Sequence, residues 1–170
     1  MSNDPNWRLP EVPTFTLESP DFAEGEKLPD WARADGGNRI PTLRWSGAPE
    51  GTKSFAVTLY DPDAPTGSGW WHWVVYNIPA STTELPAGAG AADGKGLPQG
   101  AAQGRTDFGT AAFGGACPPQ GDKPHRYIFT VYALKSDKLD VPADASAALI
   151  GFMIHADQLA KATLTAKYGR

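Results

Sequence analysis

Cysteine is nearly absent from this 170-residue chain, in which Cys117 is the only one. A single thiol excludes an intrachain disulfide framework and a zinc site built from several thiolates, and a reducing compartment would keep it free. Long apolar runs are also missing, since no stretch approaches the roughly 20 residues that span a bilayer. Residues 1–5 lack the cationic start and apolar run of a secretory signal. We therefore predict a cytoplasmic protein without a transmembrane segment.

An excess of basic residues is missing as well. The chain has 15 lysines and arginines against 19 aspartates and glutamates, and its formal net charge is −4. The basic residues are scattered along the chain, whereas binding to the phosphate backbone of DNA or RNA requires a basic stripe. Nucleic acid is therefore not an expected partner.

Turn-forming and bulky residues are abundant. The chain contains 19 glycines and 16 prolines together with 6 tryptophans, 5 tyrosines and 7 phenylalanines. Glycine and proline mark turns, and aromatic side chains favour strands, so this mixture predicts a mainly β fold. The length allows one sizeable core and is short of the usual size at which chains divide. We therefore expect one domain over residues 1–170.

Alternating apolar and polar residues predict the strands, because successive strand side chains point to opposite faces of a sheet. The predicted strands cover 14–17, 42–45, 54–60, 71–78 and 125–134. The last three are the clearest, and we expect them to form the centre of the sheet.

A long segment of small residues, 81–115, lies between two of these strands. It has too few large apolar side chains to build an element of its own, so we predict a surface loop anchored by Phe108 and Phe113. Loops of this length are uncommon in compact domains and are often functional. A partly mobile cover is an equally good interpretation.

The C-terminal region shows helical spacing of apolar residues. This spacing predicts a helix of four or five turns that begins near Asp144 or Ser146 and lays one apolar face on the sheet. The residues at that spacing are Leu149, Phe152, Met153, Ala156, Leu159 and Ala160.

Two carboxylates follow the strand predicted at 54–60. They belong to the sequence Asp61-Pro62-Asp63-Ala64-Pro65, in which the prolines restrict the backbone. An Asp-Pro pair by itself more often begins a turn. The neighbouring segment makes a functional interpretation stronger here.

That segment is Trp70-Trp71-His72-Trp73. The strand period of two predicts that Trp70 and His72 point to one face, and Trp71 and Trp73 to the other. A histidine among tryptophans is more often a satisfied core residue than a functional one. A buried imidazole nevertheless needs hydrogen-bond partners, and the two loop aspartates are near in sequence. An aspartate bonded to His72 would raise its pKa and leave its second N–H for an anion.

A third group of residues surrounds the start of the strand at 125–134. His125 and Tyr127 should share a face, while Arg126 turns the other way and forms a structural ion pair with a loop aspartate. Gly114 and Gly115 leave backbone N–H groups uncovered by side chains, which suits contact with phosphate or carboxylate oxygens. His125 and Tyr127 are therefore candidates for lining a pocket.

Together these segments resemble the two signature regions of the phosphatidylethanolamine-binding proteins, also called Raf-kinase-inhibitor-like proteins. The resemblance rests on residues 61–65, 70–72 and 118–127, and it extends through 131–134 and the closing 168–170. The Gly/Ala-rich insert and the Cys-Pro-Pro sequence at 117–119 are more similar to the bacterial YbhB/YbcL-type branch than to the animal or plant branches.

The resemblance implies a fold and a site. The fold is a central antiparallel sheet packed against a second, smaller sheet, with a helix near the C-terminus. The site is a pocket for a small anion, such as phosphate, acetate or phosphorylethanolamine, and we include Asp63 with the residues that the family motifs place there. The candidate ligand-binding residues are Asp61, Asp63, Trp70, His72, Gly115, Cys117, Pro119, His125 and Tyr127.

Three finer expectations also come from the resemblance. The Ala64-Pro65 peptide bond is expected to be cis. Cys117 stands where the family usually has glycine, so its side chain could narrow the pocket. Members of this branch can pair, so a homodimer is plausible.

We predict a binding protein that is not an enzyme and needs no cofactor, and that could act as an inhibitor of a kinase or peptidase. The alternative is a metal-dependent hydrolase or phosphoesterase in which His72, His125 and Asp61 hold zinc. Against it, the histidines lie on separate strands, and neither a His-Glu-x-x-His nor a Gly-x-Ser-x-Gly motif occurs. A nucleophilic Cys117 activated by His125 is a further alternative, although a packing role is the simpler interpretation.

Overall fold

A computed structural model describes residues 9–170 of the chain, so the prediction for residues 1–5 lies outside the described residues. Most of the regular structure is β. The strands are β1 (Thr16–Glu18), β2 (Leu43–Ser46), β3 (Ser54–Asp61), β4 (Trp70–Pro79), β5 (Glu84–Leu85), β6 (Ala102–Gln103), β7 (His125–Leu134) and β8 (Gln158–Tyr168).

These strands form two antiparallel sheets. The larger has the order β6-β4-β3-β7-β8, and the smaller has the order β1-β2-β5. The mainly β fold with a large central sheet and a second, smaller one is therefore confirmed. The strands predicted to be central, β3, β4 and β7, are the three middle strands of the large sheet. Every residue of β3 is buried, as expected of a strand covered on both faces.

The main core lies between the two sheets. Leu17, Leu43 and Trp45 come from the small sheet and pack in one cluster with Val57 and Phe129 of the large sheet. Phe55, Val57 and Leu59 all belong to this cluster, as their alternation in the sequence predicts. Burial of each such side chain is worth about 1.5–3 kcal/mol, which makes this core the main source of stability.

The opposite face of the large sheet is covered by one helix, α1 (Ala147–Asp157). The hydroxyl of Ser146 caps the helix by accepting a hydrogen bond from the backbone N–H of Leu149 at 3.2 Å, so the predicted start near Ser146 is confirmed. The predicted length and buried face are wrong. The helix has 11 residues, its buried residues include Ile150 and Ile154, and 71% of Phe152 is exposed.

The last strand, β8, was missed by the sequence analysis. Its first residues were assigned to the helix, because Leu159 and Ala160 continue the helical spacing of apolar residues. In the structure β8 pairs with the whole length of β7 and buries alternate residues, including Ala162, Leu164 and Ala166. Pairing and burial along β7 outweigh the local preference.

The segment predicted as a surface loop, 81–115, is irregular except for two short strands. β5 pairs with β2 at the edge of the small sheet, and β6 pairs with β4 at the edge of the large sheet. Phe113 is buried and anchors the loop in the main core, as predicted. Among residues 9–170, no helix has the length and apolar character needed to cross a membrane.

Candidate functional site

The loop that follows β3 is organised by the carboxylate of Asp61. Its Oδ1 accepts hydrogen bonds from the backbone N–H groups of Asp63, at 2.8 Å, and Ala64, at 3.1 Å. An aspartate that bonds to the backbone two residues later forms an Asx turn, which shapes this loop. The peptide bond between Ala64 and Pro65 is trans, so the expected cis bond is wrong.

A β-bulge places His72. Leu59 of β3 pairs with Trp73, while the next residue, Tyr60, pairs with Trp71, so His72 is an extra residue on β4. A bulge of this kind changes which face the following side chains take. Trp73 consequently packs in the core between the sheets, and Trp71 packs on the helix side. The prediction that Trp71 and Trp73 share a face is therefore wrong.

His72 is bonded to the backbone. Its Nδ1 lies 2.8 Å from the carbonyl oxygen of Gly114, and because a carbonyl only accepts, Nδ1 carries the hydrogen. Burial lowers the pKa of His72, and the bond to Gly114 and the charge of Asp61 offset this effect only in part. The ring is therefore neutral near pH 7, and its Nε2 is an acceptor. The prediction that an aspartate binds His72 and raises its pKa is wrong.

The aspartate binds the other histidine instead. Nδ1 of His125 lies 2.7 Å from Oδ2 of Asp61, because the end of β3 lies beside the start of the neighbouring strand β7. Nε2 of His125 lies 3.1 Å from Oδ2 of Asp122. Burial acts to lower the pKa of His125, but the hydrogen bonds and charges of the two carboxylates outweigh it and raise that pKa. Carboxylates only accept hydrogen bonds, so the geometry favours the imidazolium ion.

Both histidines line one cavity of about 290 Å³. Trp70 lies in the same wall, as the predicted shared face of Trp70 and His72 requires. The ring of Tyr127 lies behind the cavity, with its centroid 5.3 Å from that of His72. The cavity residues that the sequence predicted are Asp61, Trp70, His72, Cys117, Pro119 and His125.

Three candidate residues, Asp63, Gly115 and Tyr127, are not among the residues that line this cavity. Asp63 forms an ion pair with Arg126, whose Nε and Nη2 each lie 2.9 Å from a carboxylate oxygen, and it also accepts the backbone N–H of Arg126. The predicted ion pair between Arg126 and a loop aspartate is confirmed. The Arg126 hydrogen bonds hold the pKa of Asp63 below its usual range, although burial acts to raise it.

Gly115 has a packing role instead. A side chain at Gly115 would overlap the carbonyl oxygen of Ala32, so only glycine allows the two backbone segments to approach this closely. The N–H of Gly115 donates to Oδ1 of Asn38 at 2.7 Å, and that of Gly114 donates to the carbonyl of His72 at 2.9 Å. Both N–H groups that were predicted to face an anion are therefore engaged elsewhere.

Several cavity residues were missed. Phe108, predicted only to anchor the loop, lines the cavity and contacts the rings of both Trp70 and His72 edge-on. Thr66 also lines it. Asp122 contacts His125 although it does not itself line the cavity. The sequence could have indicated this contact, because Asp122 precedes His125 by only three residues. Its role depends on the turn before β7, which periodicity does not describe.

Two buried groups near the cavity have no hydrogen-bond partner among residues 9–170. They are the indole N–H of Trp70 and the hydroxyl of Tyr127, although the backbone of Cys117 lies near that hydroxyl. Burial, and to a smaller extent the charge of Asp61, raises the pKa of Tyr127, which keeps its hydroxyl protonated. Buried polar groups normally have partners, so these two are candidates for contact with a ligand.

Within residues 9–170, no three side chains of histidine, cysteine, aspartate or glutamate form a group that could hold a metal ion. The alternative hypothesis of a zinc site therefore has no assembled set of ligands in the described part of the chain.

Comparison with known proteins identifies the family and the fold of this chain. The family model of the phosphatidylethanolamine-binding proteins matches residues 18–169. This chain belongs to that family. The match covers the last residue of β1, all of β2 to β8, and every residue that lines the cavity.

Two similar relatives of this family member come from a bacterium. UPF0098 protein YbcL of Escherichia coli strain K12 is 55% identical over 163 residues, which cover 93% of this chain and 89% of YbcL. UPF0098 protein YbhB of the same strain is 51% identical over 157 residues, covering 89% of this chain and 98% of YbhB. The crystal structure of E. coli YbcL superimposes with a TM-score of 0.90, covering 92% of this chain and 98% of YbcL. These relatives confirm the predicted bacterial branch of the family.

Proposed function

We propose that this protein binds a small oxyanion in the cavity between His72 and His125. The observation that carries the proposal is the buried ring of His125, whose two nitrogens lie 2.7 and 3.1 Å from the carboxylates of Asp61 and Asp122. These contacts favour the imidazolium ion, and an imidazolium N–H forms a strong, charge-assisted hydrogen bond with an oxyanion. The indole N–H of Trp70, a residue that lines the cavity, is a further candidate donor.

The geometry also favours a particular class of anion. Neutral His72 presents Nε2 as an acceptor, since its Nδ1 is bonded to Gly114. A ligand that carries both negative oxygens and one O–H group satisfies this wall better than a bare carboxylate does. Phosphate and phosphomonoesters with one protonated oxygen have that combination. The cavity of about 290 Å³ is at the low end for ligand pockets, which favours a small molecule or a head group.

Calorimetric or NMR titration with inorganic phosphate tests the proposal. We expect His125→Gln to weaken binding at pH 6 by at least tenfold. His155→Gln is the matched control, because His155 lies in helix α1 and lines a groove on the other face of the large sheet. Equal phosphate affinity in the wild type and His125→Gln would refute the proposal.

A second titration uses acetate, which keeps a single charge between pH 6 and pH 9. Its binding should weaken as the pH rises through the raised pKa of His125. Acetate affinity that stays constant over this range contradicts an imidazolium role.

We propose that the protein acts as a binder and not as an enzyme. His125 directs both ring nitrogens at carboxylates, so in this arrangement it does not serve as a base for the Cys117 thiol. The thiol accepts a hydrogen bond from Arg170, whose Nη2 lies 3.8 Å from Sγ. Slow alkylation of Cys117 by iodoacetamide at neutral pH is the expected result, and rapid alkylation would contradict it.

Three broader expectations stay predictions. They are a cytoplasmic location, inhibition of a kinase or peptidase through the rim of the cavity, and pairing as a homodimer. Each is supported by the sequence or by the family resemblance, and each concerns partners or compartments rather than the cavity itself.

A further inference from the structure

The carboxylate of Asp122 holds the N–H group of His125 that Asp61 leaves for a ligand. An imidazolium ring has two N–H donors, and one of them, on Nδ1 of His125, is held by Asp61 at 2.7 Å. The second, on Nε2, is the remaining donor that the ring can offer to a ligand. In this structure Asp122 accepts it at 3.1 Å. An anion bound at Nε2 and Asp122 therefore compete for one hydrogen atom.

The two carboxylates on His125 differ in how firmly they are held. Asp61 is 3% exposed, and two backbone N–H groups bind its other oxygen. Asp122 is 40% exposed, and its side chain makes a single hydrogen bond among the described residues, the one to His125. Asp61 is therefore a fixed part of the site, whereas Asp122 can leave His125 at little cost.

Asp122 lies beside an open space into which its side chain can move. His125 separates the anion cavity from a second, open cavity of about 420 Å³, and Asp122 lines this second cavity. Lys123 and Lys167 line it too, so a carboxylate that moves away from His125 enters water beside two cations. The backbone at Gly121, with φ of +87°, forms the turn that carries Asp122.

We propose that Asp122 is an internal competitor for the anion: its carboxylate occupies the Nε2–H of His125 and leaves when an oxyanion binds there. The inference rests on the proposed function and assigns a regulatory part of that site. This competition lowers the apparent affinity of every oxyanion by the same factor, because only the molecules in which Asp122 has left His125 can bind.

Asp122→Asn tests the inference, since it keeps the shape of the side chain and removes its charge. We expect phosphate to bind roughly fivefold more tightly to this variant at pH 6, the scale of a partly exposed ion pair. Asp140→Asn is the matched control, because it removes the same unit of charge from an exposed residue that lines neither cavity. The gain in affinity should be at least as large for phosphate as for acetate, because both ligands displace the same carboxylate.

The opposite result has a clear meaning. If Asp122 only stabilises the imidazolium, Asp122→Asn binds phosphate more weakly or equally well, and the inference is overturned. Asp122→Ser gives a second test should the asparagine variant fold poorly. The proposed function fails separately, when His125→Gln binds phosphate as tightly as the wild type does. Phosphate binding that depends on His125 but does not tighten in either Asp122 variant sinks the inference alone.

Discussion

His72 and His125 line the same cavity, yet their surroundings give them opposite electrostatic properties. His72 is bonded to the backbone carbonyl of Gly114, and burial lowers its pKa. His125 lies between the carboxylates of Asp61 and Asp122, which raise its pKa against the effect of burial. Burial alone therefore does not determine the charge of a histidine. The charge depends on whether the partners of the ring are neutral dipoles or anions.

The difference has opposite consequences for stability. A raised pKa gives stability that is complete below the unfolded value, about 6.5, and is lost as the pH rises through the folded pKa. His125 follows this rule. A lowered pKa gives a contribution that is present above about 6.5 and lost as the pH falls, and His72 follows that rule. One cavity thus contains one histidine that stabilises the fold most at low pH and another whose contribution is lost at low pH.

Removing the carboxylate of Asp61 should have the largest effect. Asp61→Ala leaves two backbone N–H groups and a buried imidazole without their partner, so we expect a loss of about 3–5 kcal/mol in the free energy of unfolding. Urea unfolding at pH 7 measures it. Asp140→Ala is the control for an exposed aspartate. A loss below about 1 kcal/mol would show that Asp61 does not organise the site.

Gly115→Ala should disturb one histidine and not the other. The new methyl group would overlap the carbonyl oxygen of Ala32, and such overpacking costs roughly 1–3 kcal/mol. Gly115 directly follows Gly114, whose carbonyl oxygen accepts the hydrogen bond of His72. We expect the NMR signals of the His72 ring to shift while those of His125 stay in place.

The control for that substitution is Gly151→Ala. A side chain at Gly151, in helix α1, would meet no atom within 4 Å, and alanine favours a helix. This variant should be as stable as the wild type or slightly more stable. Equal NMR shifts of both histidine rings in Gly115→Ala would contradict the conclusion that Gly114 holds only the ring of His72.

The pH dependence of stability should separate the two histidines. Relative to the wild type, His125→Gln should remove a stability contribution that declines above pH 6.5, because the His125 pKa is raised. His72→Gln should instead remove a penalty that grows below pH 6.5, because its pKa is lowered. Urea unfolding between pH 5 and pH 9 measures both. The contrast between the two histidines is wrong if the stability difference between wild type and variant changes with pH in the same direction for both variants.

Breaking the ion pair of Arg126 should have the smallest effect. The Arg126 side chain is 42% exposed and that of Asp63 is 30% exposed, so solvent screens their attraction. We expect Arg126→Met to cost about 1 kcal/mol or less in the free energy of unfolding, without changing phosphate affinity. A large loss of phosphate affinity would show that Asp63 reaches the ligand after all.

Much of the large sheet could be predicted because its signals are local. Alternation in the sequence located β3, β4 and β7, and the turn at 61–65 is marked by its prolines. β8 could not be recognised in the same way. Its alanines and lysines favour a helix, and only the long pairing with β7 makes the strand the more stable structure.

The cavity residues were predicted better than their contacts. Asp61, His72 and His125 do line one cavity. The bulge at His72 was not predictable from periodicity, since one inserted residue reverses the faces of all that follow. Phe108 was not assigned to the site, because its position depends on how the long loop returns to β4.

The sequence by itself determined the kinds of group in the cavity and the strands and turns that carry them, because alternation and proline act over a few residues. The tertiary structure decided which carboxylate binds which imidazole, and therefore which ring is charged. Hydrogen bonds of 2.7 and 2.8 Å fix those partners, and the chain separation of 64 residues between Asp61 and His125 bears no relation to that distance. Only the pairing of β3 with β7 brings these two side chains together.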